Sequence, residues 1–224
     1  DAEAISAFLH NIPDTHKSNI IEVADNAIKG KIKAFSSLEL DYGEPINWQL
    51  NPLTGKSCPE NVRWYRIPDF DAERGDIKLV WEASRFTHFY LFARAFMLTH
   101  DKRYYEAFSE QLDDWLKTNP YPDGANYKCG QECALRMINA LTVYSVFRNY
   151  SVTNKRDADN IAELVKRCYK KILSNFFYAH RCIKNNHTLS ELCGMIIGAW
   201  CCGDELTLGR AYRMFDHEIY AQFT

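Results

Sequence analysis

The sequence predicts an all-α fold, and three observations carry that expectation. From residue 76 onwards, apolar residues recur at helical spacing in segment after segment, separated by short polar or Pro/Gly-rich breaks. Strand-like alternation is confined to short pieces such as Ile32-Lys33-Ala34-Phe35, inside a stretch crowded with Pro and Gly. At 224 residues, 46% hydrophobic and 14% aromatic, the chain can also bury a sizeable core.

Residues 1–30 read as a helix whose stripe is Ile20, Ile21, Val23, Ala24, Ala27 and Ile28, stopped by Gly30. Residues 31–75, with Gly43, Pro45, Pro52, Gly55, Pro59, Pro68 and Gly75, read as a long irregular arm carrying one small hairpin. Residues 76–98 hold Trp81, Phe86, Phe89, Tyr90, Phe92 and Phe96 and read as one buried helix. After a turn at 99–101, residues 102–117 place Tyr105, Phe108, Leu112, Trp115 and Leu116 on one face, and residues 119–124 break the chain. Helices are expected over 129–149, 157–180 and 188–201, with another from about 205. Helices of this length joined by short loops pack as antiparallel hairpins. The chain shows no tetratricopeptide or ankyrin period, so an all-α solenoid or toroid is expected. The natural division is 1–75 (helix and arm) and 76–224 (toroid portion). The helical pattern runs to Thr224 with no Gly, Pro or cap to close it, which reads as a segment of a longer protein.

A net charge of -2 gives no global attraction to nucleic acid or anionic membranes, and no apolar run approaches the length of a membrane span. An anionic ligand therefore needs a local site. The eight cysteines lack C-x-x-C or zinc-like spacing, and Cys129, Cys133, Cys168 and Cys193 fall within helical patterns, so buried free thiols are expected. The seven histidines show no H-x-x-x-H pair, and phosphate loops and a G-x-S-x-G elbow are absent, so no metal or cofactor is expected.

Three stretches carry candidate chemistry. Around Asn185-Asn186-His187, Thr188 and Glu191 have capping-box spacing. Leu189, Leu192, Cys193, Ile196, Ile197 and Trp200 form an apolar stripe, with His187, Glu191, Gly194 and Gly198 opposite, as if bordering a cavity. The same residues also suit a plain turn and close helix packing. In the second stretch, Trp81, Arg85, His88 and Phe92 share a face and Glu82 lies one turn from Arg85. An Arg beside a Trp suits a carboxylate- or sulfate-bearing sugar, and equally an internal Glu82–Arg85 ion pair. Third, Asn126, Tyr127 and Lys128 precede a helix bearing Glu132 and Arg136 at i, i+4, the spacing of an ordinary helix salt bridge.

Taken in order, residues 75–86 (GDIKLVWEASRF), 98–104 (LTHDKRY), 115–120 (WLKTNP), Asn126-Tyr127 with Glu132 and Arg136, and Asn185-Asn186-His187 resemble the N-terminal helical domain of the heparinase II/III family of polysaccharide lyases. The likeness covers roughly residues 45–205. It implies an incomplete (α/α) toroid followed by an antiparallel β-sandwich, and β-elimination at a uronic acid of an anionic polysaccharide. It implies no metal, cofactor, nucleic acid or membrane partner. By the same resemblance, Asn186 would hydrogen-bond the substrate carboxylate and His187 would neutralise it or act as base. Trp81, Glu82, Arg85, Asn126, Tyr127, Glu132 and Glu191 would line the subsites. The sequence departs from the family at Ser84, where Asn is usual, and at Tyr127, where Trp is frequent. The family's catalytic Tyr and a further His come from later parts of the chain, so these residues alone are expected to be all but inactive. Two other readings stay open: a glycoside hydrolase using two of Glu82, Glu132 and Glu191, and a non-catalytic carbohydrate-binding helical domain.

Overall fold

The computed structural model describes residues 11–183 and 185–223. Helix α1 spans Asp14–Ile28 and buries Val23, Ala24 and Ala27; the first ten residues of the expected helix lie outside the described residues. The chain then turns at Gly30, whose φ of +76° is open to glycine, and a Cβ there would sit 2.0 Å from the Gly43 carbonyl oxygen.

The arm holds three antiparallel hairpins where one was expected: β1 (Lys31–Ala34) with β2 (Leu38–Asp41), β3 (Leu50–Asn51) with β4 (Lys56–Ser57), and β5 (Phe70–Asp71) with β6 (Gly75–Asp76). The last two pair only two residues per strand, too few for alternation to show in the sequence. The arm is no loose appendage. Ile32, Ala34, Leu40, Tyr42, Ile46 and Trp48 belong to the same buried core as the helices. The Tyr42 hydroxyl donates to the Leu79 carbonyl at 2.7 Å, and Trp48 Nε1 donates to Asp114 Oδ2 at 2.7 Å.

The single helix expected over 76–98 is two, α2 (Lys78–Ser84) and α3 (Phe89–Thr99). The break is at Phe86, a non-glycine residue with φ +61°. That conformation is unfavourable for an aromatic residue, and packing enforces it. The buried ring stacks on Phe89 at 4.4 Å and meets Trp115 and Trp48 edge-on at 5.6 and 5.8 Å.

Beyond it run α4 (Arg103–Thr118), α5 (Gly130–Asn149), α6 (Lys155–Tyr178), α7 (Asn186–Cys202) and α8 (Glu205–Phe223). Asn154 and Asp157 form a reciprocal capping box at the start of α6. Buried Asp157 also accepts the Tyr105 and Ser109 hydroxyls, tying α6 to α4. A π-helical turn, Ala179–Ile183, leads from α6 towards α7. All eight cysteines are free. Cys58, Cys133 and Cys168 are buried as expected, but Cys129 and Cys193 are half-buried and Cys182, Cys201 and Cys202 exposed. Among the described residues no helix is long and apolar enough to cross a membrane.

Gly30→Ala should lower unfolding stability by at least about 2 kcal/mol, because strain and a clash with backbone combine. Gly55→Ala, at φ +68° with nothing within 4 Å of the added Cβ, should cost about 1 kcal/mol or less. Equal losses in chemical denaturation would contradict the close Gly30–Gly43 approach.

Candidate active site

The site grows from the break between α2 and α3. A helix that stops leaves carbonyls in need of donors, and one face of α5 supplies them. Arg136 Nε donates to the Ser84 carbonyl at 2.6 Å, and Asn139 Nδ2 donates to the Arg85 carbonyl at 2.8 Å. One turn nearer the start of α5, Glu132 accepts Arg85 Nε and Nη2 at 2.7 and 2.8 Å in a bidentate pair. Arg85 Nη1 pairs with Glu82, whose second oxygen accepts the Phe35 N–H at 2.9 Å. Glu132, Arg136 and Asn139 thus stand at i, i+4 and i+7 and all grip the broken helix. The Glu132–Arg136 salt bridge suggested by spacing does not form, because each side chain is drawn to the break instead. The expected Glu82–Arg85 pair does form. Burial pulls the Arg85 pKa down, but Glu132 and Glu82 outweigh it and hold the guanidinium charged.

Asn126 and Tyr127 lie in a one-turn 3-10 helix, Ala125–Tyr127, and neither reaches the surface. Asn126 Nδ2 donates to the Trp48 carbonyl and to Asn119 Oδ1, at 2.9 and 2.8 Å, while the Tyr127 hydroxyl donates to the Asn119 carbonyl at 3.0 Å. Trp81 Nε1 donates to the Ala125 carbonyl at 2.9 Å, and Lys128 Nζ to the Ile67 carbonyl at 2.6 Å. Polar groups in a loop suggested a cleft lining; here they hold the loop together, since a buried loop must satisfy its own backbone.

The Asn-Asn-His stretch begins α7 two residues earlier than the Thr188–Glu191 spacing suggested. Asn185 is the cap, its Oδ1 accepting the His187 N–H at 2.9 Å. Thr188 is instead buried and donates to the Ala179 carbonyl at 2.9 Å, which seats the π turn against the helix. The sidedness expected for α7 holds only in part: Leu192 is buried and Ile196 and Ile197 pack on the core, but the face of Glu191, Gly194 and Gly198 is buried too. A Cβ on Gly130 would lie 2.5 Å from the Glu191 carboxyl carbon, one on Gly194 would meet the Ala134 Cβ at 2.6 Å, and one on Gly198 the Tyr169 ring at 2.5 Å. The glycines make room for neighbouring side chains and helices, with no cavity left, while Trp200 on the apolar stripe is 74% exposed.

These contacts place α5 and α7 side by side and parallel, with their N-termini at one end. Cys129 Sγ lies 3.7 Å from His187 Nδ1, and Gln131 Nε2 donates to Ser190 Oγ at 3.1 Å. Asn186 is exposed and His187 half-buried at that end. Two helix N-termini, each equivalent to about half a positive charge, converge there. Beneath them Glu191 is completely buried; Asn175 Nδ2 donates to its Oε1 at 2.8 Å and its Oε2 has no partner. Burial pushes its pKa up to about 7, against the hydrogen bond from Asn175 and the charge of Lys171. Lys171, also buried, sits with Nζ 3.4 Å from the Trp64 ring centroid, and burial lowers its pKa. Burial likewise raises the Cys129 pKa to about 12, so it stays a thiol.

The structure joins Glu82, Arg85 and Glu132 in one ion-paired cluster and sets His187 against Cys129, the residue that precedes α5, while Asn126, Tyr127 and Glu191 are completely buried. Sequence reasoning missed the half-buried Cys129, Gln131 and Ser190 between the starts of α5 and α7, and Lys171 and Asn175 near Glu191. A lysine one residue before Ile172 on the buried face of α6 was the available signal. Among the described residues no group of three His, Cys, Asp or Glu is arranged to hold a metal.

Residues 8–219 match the family model described as heparinase II/III N-terminus. In three dimensions, 98% of the chain superposes on 36% of a heparinase III with methylated lysines, at a TM-score of 0.68 and 18% identity. Identity that low speaks for the fold alone, and the fold is an all-α, incomplete (α/α) toroid. The chain spans about a third of that structure's length. A comparison with curated protein sequences gives no match.

The Glu191 environment has a pH signature. Its folded pKa, about 7, lies above the ordinary 4.5, so the folded state holds the proton more tightly. That stability is complete below pH 4.5 and is lost as pH rises through about 7. Glu191→Gln should remove an effect on the order of 1–3 kcal/mol. Its melting midpoint relative to wild type should rise progressively between pH 4.5 and 7. His88, held at about 4 by burial, gives a slope of opposite sign in both proteins and cancels. A difference that does not change with pH would contradict the assignment.

Proposed function

The chain belongs to the heparinase II/III family, and on that footing we propose that it forms the N-terminal toroid portion of a polysaccharide lyase cleaving uronic-acid-containing glycans by β-elimination. The observation that carries this reading is the placement of exposed Asn186 and half-buried His187 at the shared N-terminal end of two parallel helices, with His187 against Cys129 at the start of the helix whose Glu132 holds Arg85.

In such an elimination a base removes the C5 proton beside the uronate carboxylate, the C4–O bond breaks as a C4–C5 double bond forms, and the departing oxygen takes a proton. The C5 proton is poorly acidic while the carboxylate keeps its full charge, and negative charge flows into that carboxylate as the proton leaves. Donors fixed around it stabilise the transition state more than the ground state. The Asn186 amide can donate to it, and the two helix ends add partial positive charge. His187 can neutralise the carboxylate when protonated or accept the C5 proton when neutral. Arg85 is already committed to two carboxylates, so it shapes and stiffens the site and leaves the substrate anion to Asn186 and His187. The same pairing argues against a hydrolase reading. Glu82 and Glu132, at 4% and 3% exposure, both spend their charge on one guanidinium, and neither is free to flank a glycosidic bond. The general acid and a second histidine would come from later toroid helices and a β-sandwich of a longer protein, and these 224 residues alone should turn over little or nothing.

The test incubates the complete protein with a panel of uronate polysaccharides and follows near-ultraviolet absorbance of the unsaturated product. One substrate should give a rise, and Asn186→Ala should lower kcat/KM roughly 100-fold or more, the size of a lost charge-stabilising donor. Full turnover by Asn186→Ala would contradict the mechanism. A new reducing end without unsaturation would favour hydrolysis, and binding without product a non-catalytic role.

A further inference from the structure

A second cavity, of about 430 Å³, lies between α1, the β1–β2 turn and the α2–α3 break, and its walls include Lys33, Phe35, Glu82, Arg85, His88 and Arg94. It shares Glu82 and Arg85 with the site above, and His187 is not part of its lining. Three features distinguish it from a surface irregularity.

Its charge is one. Lys33, Arg85 and Arg94 face a single carboxylate, Glu82, which is already paired with Arg85. Lys33 and Arg94 are exposed, and neither makes a hydrogen bond or ion pair among the described residues. A larger cavity, about 660 Å³, is the opposite: Asp25, Glu44, Glu106, Glu110 and Asp114 outnumber Lys29 and Arg103 around it, and a polyanion is repelled there.

The turn is another. Phe35 and Ser36 have φ of +48° and +71°, and the Ser37 N–H donates to the Ala34 carbonyl at 3.2 Å. Two consecutive left-handed positions make a tight turn of the kind Asn and Gly favour, and a bulky aromatic fits it poorly. Yet Phe35 stands there 48% exposed, its N–H anchored to Glu82 at 2.9 Å. Strain of this kind, held in place by the surrounding structure, points towards use. The wall is the third: His88, 2% exposed, lines the cavity with Nδ1 unpartnered.

We propose that this cavity is a distal subsite for one anionic sugar residue, its ring stacked on Phe35 and its carboxylate or sulfate held by Lys33 and Arg94. The proposal rests on the reading of the ligand as an acidic glycan. A flat aromatic offers its face to the apolar side of a sugar ring, and two unpaired cations supply charge-assisted hydrogen bonds to the anion. Contacts remote from the bond that breaks add affinity for longer chains and leave the reacting unit alone.

Equilibrium binding tests it without relying on turnover. The complete protein is titrated with a heparan sulfate octasaccharide, an alginate octamer and the corresponding disaccharides. Two variants are compared: Lys33→Ala/Arg94→Ala, and Phe35→Asn/Ser36→Gly, which installs the residues the turn prefers and so removes the ring without loosening the hairpin. Each variant should weaken binding of an octamer roughly 5–10-fold and leave disaccharide binding unchanged, and the turn variant should melt at or above the wild-type temperature. Preference for the sulfated octamer would assign the anion as sulfate, and equal binding of both as carboxylate. Unchanged octamer affinity in both variants, or no octamer binding by wild type, overturns the subsite. Binding that depends on these residues with no unsaturated product overturns the lyase reading and leaves the subsite standing.

Discussion

The structure depends on how the end of α2 is held. A helix that stops inside the protein presents carbonyls that water cannot reach, and leaving one unpaired costs on the order of 1–3 kcal/mol. Arg136 and Asn139 meet the carbonyls of Ser84 and Arg85. Arg136 is wholly buried, donates through Nη1 to a second carbonyl, that of Asn126, and lies 4.6 Å from the Trp115 ring. Phe86 can occupy its unfavourable backbone conformation only because both sides of the break are fixed in this way. Everything near the site is then a consequence of that clamp. Arg85 is aimed at Glu132 and Glu82, Glu82 at the Phe35 turn, and the start of α5 is drawn beside the start of α7.

The second determinant is the parallel approach of α5 and α7. Parallel neighbours bring like dipole ends together, which is mildly unfavourable unless something negative lies close. Glu191 sits under that end with its carboxyl against Gly130, and burial keeps it partly protonated near neutral pH. It therefore compensates the helix ends incompletely. The exposed rim, where Asn186 and His187 stand, remains favourable to an anion although the chain as a whole is slightly acidic. Gly130, Gly194 and Gly198 permit this geometry, since a side chain at any of them would push the helices or Glu191 apart.

Much of this was legible in the sequence. The periodicity of residues 102–117, 129–149 and 188–201 located three helices to within two residues at each end, while Asn185-Asn186-His187, read as a turn, proves to be the cap and first two residues of one of them. The ion pair of Glu82 with Arg85 was open at i, i+3 spacing. What was hidden was hidden for physical reasons. Residues 76–98 contain no Gly or Pro, and the kink is imposed by packing around Phe86, a tertiary effect that local pattern does not carry. Asn126 and Tyr127 looked like ligand contacts because polar loops usually meet solvent, and only the fold shows that the arm covers them. On α7, Gly194 and Gly198 were open to two readings, the border of a cavity or close helix packing, and the contacts with Ala134, Ile172 and Tyr169 support the second. Glycine on a helix marks close approach without saying of what.

The most direct measurement of the central claim is a crystal structure of the complete protein with a uronate-containing oligosaccharide product bound. The account predicts the uronate carboxylate within about 3 Å of the Asn186 side chain, beside His187, with Arg85 still bridging Glu82 and Glu132. A carboxylate bound elsewhere, or an Arg85 that leaves its two glutamates to bind it, would contradict the account.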